Sequence, residues 1–325
     1  MTATAPTNFA LPPRVRFPGL DSSAFEHPGD RATLEALRRT PGLDRLLRWL
    51  SDMGAERFVR LRFTADSIRV SPRQCPRLYN DLREACAILD VREPEFYLSQ
   101  YPFPSAMALG MQRHFIVVTS SLVDLLTESE RLQVIGRELG HIKAEHMLYR
   151  TMAHVLASIL TDAFHFNVPS KVVNEGLIYA FHTWFRRSEL TADRAGLLVA
   201  QDPEVCVSSL LKMVGGSQKL MDDLNPHEFA KQADLYEDME EDFQSLYFKL
   251  MLIRNQTHPF PAVRAREIEE WGQSEQYRRL LRGDYPRRSN GAGRRTCGNC
   301  GHVVTNVTFQ FCPECGTSLP PVLPE

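Results

Sequence analysis

The stretch Val134–His146, VIGRELGHIKAEH, decides the reading of this 325-residue chain. It lies in a helical pattern that opens at Thr127 with Glu130 three positions on, a capping-box signature, and that is expected to continue to about Tyr149. On an α-helix, positions i and i+4 project from one face. A His-Glu-x-x-His run therefore lets two imidazoles reach one metal ion while the glutamate flanks the water bound to it. Here the corresponding residues are Arg137, Glu138 and His141. Arginine cannot serve as the first ligand, because its guanidinium stays protonated and has no lone pair to offer. By themselves Glu138 and His141 read equally well as a solvated polar face.

A second helical pattern, VVNEGLIYAFHTWFRRSELTADRAGLLVA (Val172–Ala200), changes that balance. Arg186, Glu189 and Asp193 lie along one of its faces, as expected of a helix that brings a further ligand to a metal. The two motifs, in this order and 48 positions apart from His141 to Glu189, resemble the HtpX and CAAX prenyl endopeptidase family of gluzincin metallopeptidases. The resemblance runs from about Asp30 to Trp271 and includes PFPSAMALG, FIVVTSSLVDLLTESE, ELGHIKAEHMLY, WFRRSELTADRAGLL and THPFPAVRAREIEEW.

This resemblance implies His141 and Glu189 as zinc ligands, Glu138 as general base, and Asp193 as a carboxylate orienting a ligand histidine. Two departures stand out. Ser105 takes the place of the family's usual asparagine in the strand that pairs with substrate, and Arg137 takes the place of the first zinc ligand. His146 follows His141 by five residues, about 140° around a continuous helix, and His182 lies two turns before Glu189, so neither is expected to reach the site. His258 of the THPFP element is the remaining candidate neighbour. With two protein ligands where catalytic zinc uses three, and a fixed positive charge at 137, the site is expected to bind zinc poorly. Arg137 is expected to pair instead with Glu189 and Asp193, and Arg137→His to restore a three-ligand site.

Strand-like segments EFYLSQ, SAMALG and HFIVVTS precede the motif helix, each short and bounded by Pro or Gly. Further helices are expected from Ser71-Pro72, from Asp202-Pro203 to Gly215-Gly216, and from Asn225-Pro226. The fold class is therefore α+β and mainly helical, with a small sheet beside the motif helix; the resemblance implies a zincin-like metallopeptidase domain, and a zinc ribbon follows it.

The ribbon is CGNCGHVVTNVTFQFCPECG, in which Cys297, Cys300, Cys312 and Cys315 form C-x2-C-x11-C-x2-C. Four thiolates on two tight turns make a closed tetrahedral zinc site, structural rather than catalytic. The other cysteines, Cys75, Cys86 and Cys206, are isolated, which suits a reducing compartment and a cytoplasmic protein. By composition the chain divides into a flexible lead (1–20), the peptidase-like domain (21–282), a linker (283–296), and the ribbon and tail (297–325).

Hydrophobic residues make up 43% of the chain, enough for a substantial core. A formal net charge of −2 gives no broad reason to expect nucleic acid as a partner. The most apolar interval, TMAHVLASILTDAFHFNVPS, contains Asp162, two histidines and a proline, and reads as a buried helix rather than a membrane span. Three functional readings follow. They are a pseudo-peptidase or impaired peptidase that engages peptide or protein, an active metallopeptidase recruiting an unidentified ligand, and an adaptor working through its ribbon.

Overall fold

Thr127 accepts a hydrogen bond from the Glu130 amide, and Glu130 reaches back to the Thr127 amide at 2.8 Å, so the expected capping box starts the central helix. The structure, a computed structural model, describes residues 14–43, 55–110, 113–152, 175–215, 220, 223–238, 260–288, 295–304, 312, 315, 317 and 319. In chain order the main elements are α1 (Pro28–Arg39), α2 (Ala55–Asp66), β1 (Ile68–Arg69), α3 (Pro76–Leu89), β2 (Glu95–Ser99), β3 (Ala106–Leu109) and β4 (Phe115–Thr119). They continue as α4 (Ser120–Leu125), α5 (Glu128–Lys143), α6 (Glu175–Ala200), α7 (Pro203–Gly215), α8 (Pro226–Asp238), α9 (Pro261–Gln273) and α10 (Glu275–Leu281). A two-stranded ladder, β5 (Arg295–Thr296) and β6 (Val303–Val304), belongs to the ribbon.

Helix α5 is buried over most of its length, with α6, α3 and α7 packed around it. Its closest approach is to α6, and glycine permits it: a Cβ at Gly136 would lie 2.6 Å from the Val199 side chain, and one at Gly140 would collide with the methyl of Ala195. The sheet has the order β1-β2-β4-β3, with β2 and β4 parallel and the outer pairs antiparallel. Strand β4 is central and buried at every position, as its uninterrupted FIVVT run requires. Strand β3 is left on the edge, beside α5.

The motif helix ends earlier than its sequence suggests. Rather than running to Tyr149, α5 stops at Lys143; Glu145 takes a left-handed backbone (φ 58°), and helical structure resumes at 147–152. The amides of Glu145 and His146 bond back to the Ile142 and His141 carbonyls at 3.2 and 3.0 Å, closing the turn without glycine.

Two expected boundaries cut through packed structure. The last part of the expected flexible lead is fixed, because Phe17 and Leu20 are fully buried and the Phe17 amide donates to the Ile88 carbonyl at 2.9 Å. The start of the expected linker is held too: Asp21 donates to the Pro286 carbonyl and Arg288 to the Gly19 carbonyl, at 3.1 and 2.8 Å. Cys297, Val304, Cys312 and Leu319 of the ribbon belong to the same buried cluster as Leu109, Phe115 and Trp184. The apolar interval read as a buried helix falls mostly within 153–174, outside the described residues, as does His258. Among the described residues no helix is long and apolar enough to cross a membrane.

Candidate active site

Glu138 and His141 from α5 and Glu189 and Asp193 from α6 meet in one buried cluster, all at 2% exposure or less. His141 Nε2 lies 3.4 Å from Glu189 Oε1, so the two polar stripes face each other as their spacing predicts. Arg137 is in the cluster as well. Its guanidinium donates to Glu138 Oε1 at 2.5 Å and to Glu189 Oε2, and its Nε is 3.4 Å from Asp193 Oδ1. Burial, with the nearby positive charge of Arg264, draws the Arg137 pKa down, and the surrounding carboxylates only partly oppose this.

A second guanidinium, unexpected from the sequence, enters through the break after α5. Arg150 Nη1 lies 2.7 Å from His141 Nε2 and 2.5 Å from Glu189 Oε1, and Nη2 is 3.6 Å from Glu138 Oε2. The group stacks over the Phe185 ring at 4.9 Å. Burial lowers its pKa to about 10, which leaves it charged at neutral pH.

The same break corrects the reading of His146. On a continuous helix it would point away; turned back at Glu145, its Nδ1 lies 3.1 Å from His141 Nδ1. Its Nε2 is 3.0 Å from Asp30 Oδ2 on α1, and Asp30 also accepts from Trp184 Nε1 and Thr191 Oγ1 at 3.0 and 2.6 Å. The ring of His141 is thus oriented by His146. Asp193, expected in that role, is held by Arg264 of α9 through paired bonds of 2.7 and 2.6 Å. Three carboxylates (Glu138, Glu189, Asp193) face three guanidiniums (Arg137, Arg150, Arg264) in a site closed to water.

Edge strand β3 is tied into this cluster. The Ala108 amide donates to Glu138 Oε2 at 2.7 Å and the Gly110 amide to Thr151 Oγ1 at 3.1 Å. Both amides are thus taken up by side chains of the helical layer. Ser105 donates its amide to Thr119 Oγ1 at 2.9 Å.

Residues 72–272 match Peptidase family M48. The chain belongs to this family. It is 37% identical over 277 residues to the plastoglobule-localized metallopeptidase 48, chloroplastic, of Arabidopsis thaliana, covering 84% of this chain and 79% of that protein. It is 26% identical over 202 residues to a protease HtpX homolog of Moorella thermoacetica, covering 54% of this chain and 63% of the relative. A second HtpX homolog, from Methanosarcina mazei, is 27% identical over 169 residues, 45% of this chain and 58% of the relative. No solved structure matches.

Zinc bound by an M48 site would lie about 2.0–2.2 Å from each nitrogen and oxygen ligand. His141 Nε2 and Glu189 Oε1 are suitably spaced for this, yet Arg150 Nη1 takes up the position between them. The third ligand position, by family resemblance, is Arg137. As they stand, these residues do not fit a zinc ion. The ribbon does: Cys297, Cys300, Cys312 and Cys315 place their sulfurs within 4.8 Å of one another, the one such cluster of three or more ligands among the described residues. The separations Cys297–Cys315 and Cys300–Cys312 are 3.5 and 3.6 Å, close to the edge of a tetrahedron with metal–sulfur bonds of about 2.3 Å.

Proposed function

We propose that this M48 protein engages peptide or protein segments without hydrolysing them. The observation that carries the reading is the Arg137 guanidinium on both Glu138 and Glu189, the residues that would serve as general base and metal ligand. A glutamate held by a charged arginine is a poor proton acceptor, and with no metal-activated water there is no nucleophile for it to generate. Structural zinc in the four-cysteine ribbon is part of the proposal, as is the absence of zinc from the peptidase site.

The family supports peptide or protein as the class of ligand. Pairing of a peptide along β3 would require Glu138 to release the Ala108 amide, so any binding there competes with the present arrangement. The cytoplasmic expectation rests on the isolated Cys75, Cys86 and Cys206 of the sequence, whereas the Arabidopsis relative is named as plastoglobule-localized. No nucleic-acid role is proposed.

The test is metal content and proteolysis of the full-length chain, with an unfolded protein such as reduced casein as substrate. One zinc per chain and no cleavage above a Glu138→Gln control are expected. A second zinc, with cleavage that Glu138→Gln abolishes, would establish the active-peptidase alternative instead.

A further inference from the structure

Arg150 occupies the atoms that a metal would need, and it does so without help from Arg137. The two arginines approach from different segments: Arg137 from within α5, Arg150 from the turn of helix beyond the break at Glu145. Arg137 holds Glu138 Oε1 and Glu189 Oε2, whereas Arg150 holds His141 Nε2 and Glu189 Oε1. On the two glutamates they share, the arginines take different oxygens. Arg150 is also fixed independently, by its stacking on Phe185 and its approach to Glu138 Oε2.

The hydrogen-bond donors give a second, separate argument. A guanidinium can only donate, so His141 Nε2 must accept from Arg150, which leaves the proton of His141 on Nδ1. That N–H then donates to His146 Nδ1, and His146 in turn donates from Nε2 to the Asp30 carboxylate. One set of tautomers satisfies the three bonds of the chain Arg150–His141–His146–Asp30. The lone pair that a metal would take from His141 is the one already given to Arg150.

We propose that Arg150 is a second lock on the metal position, so that the site takes up zinc only when both guanidinium groups are removed. The proposal rests on the reading that the unmodified site is metal-free. It differs from the expectation that Arg137→His alone restores zinc. With Arg137 gone, Glu138 and Glu189 lose one positive partner, and the attraction of both for Arg150 meets less competition.

The test is zinc stoichiometry of the full-length protein after equilibration with free zinc, for the unmodified chain, Arg137→His, and Arg137→His/Arg150→Met. One zinc is expected in the first two and two in the third. Two zincs in Arg137→His would overturn the second lock while leaving the non-hydrolytic reading of the unmodified chain intact. Two in the unmodified chain would overturn that reading itself. A double variant that keeps its native circular dichroism yet stays at one zinc also overturns the proposal. Should the double variant fail to fold, nitrogen-15 spectra of histidine-labelled unmodified protein decide. His141 protonated on Nδ1 is expected, and His141 protonated on Nε2 would rule the lock out.

Discussion

His146 Nε2 lies 3.0 Å from Asp30 Oδ2, which fastens the chain beyond the motif helix to the first turn of α1. Asp30 is 2% exposed. Burial favours its neutral form, but His146, Thr191 and Trp184 together outweigh that and hold its pKa below 3.8. A carboxylate with a depressed folded pKa contributes stability that is present above its unfolded value and is lost as pH falls through the folded one.

Asp30→Asn should therefore cost about 1–3 kcal/mol at pH 7. The difference from the unmodified protein should shrink as pH drops through and below 3.8, the ordinary value. Urea unfolding across that range measures it, and a pH-independent difference would mean that the charge of Asp30 is not what stabilises the contact.

Arg264 and Asp193 are both buried and joined by two bonds, a geometry that a lysine cannot reproduce. Burial acts against the Arg264 charge, yet the Asp193 carboxylate raises its pKa overall. Arg264→Lys keeps the charge but loses the paired geometry, and is expected to destabilise by about 1–3 kcal/mol. A double-mutant cycle with Asp193→Asn should return a coupling above about 1 kcal/mol. Additive effects would show that the pair is not coupled.

The α5–α6 contact predicts a graded response to added methyl groups. Gly136→Ala should cost about 1–3 kcal/mol by overpacking against Val199, and Val199→Ala in the same chain should recover part of the loss. Gly140→Ala should recover less from any single partner, because its methyl would meet both the Ala195 side chain and the Ala192 backbone. Melting temperatures of the variants provide the comparison.

Because ribbon residues share a buried cluster with the main domain, metal loss should be felt beyond the ribbon. Chelation of the full chain is expected to lower the melting temperature of the helical signal by at least about 4 °C, equivalent to a loss of roughly 1–2 kcal/mol for a domain of this size. An unchanged helical transition after the zinc is released would make the ribbon an independent module, as its composition suggested.

The sequence carried the local features well. The capping box at Thr127 and the strands within EFYLSQ, SAMALG and HFIVVTS depend on neighbours a few positions apart, and the stripes carrying His141 and Glu189 and the two cysteine pairs are each local patterns even though their partners are distant. What was not legible depended on the turn at Glu145. It contains neither glycine nor proline, so the helical pattern continued through it, and with it the conclusion that His146 points away. Arg150 was hidden for the same reason. Asp30 and Arg264 come from helices distant in sequence, and no local period marks a residue whose partner lies on another element. Phe17 and Leu20 were masked by the prolines around them, although two large apolar residues so close to a helical domain are a signal for docking.

The hydrogen bond from Ala108 to Glu138 closes one edge of the sheet inside the domain. An edge strand with exposed amides is a template for adding further strands, and proteins that leave one bare tend to aggregate. Here the side chains of Glu138 and Thr151 blunt the outer edge of β3 from inside the domain. Replacing Glu138 by alanine would leave the buried Ala108 amide without this acceptor, so a substitution meant to silence chemistry would also withdraw the bond that closes this edge of the sheet.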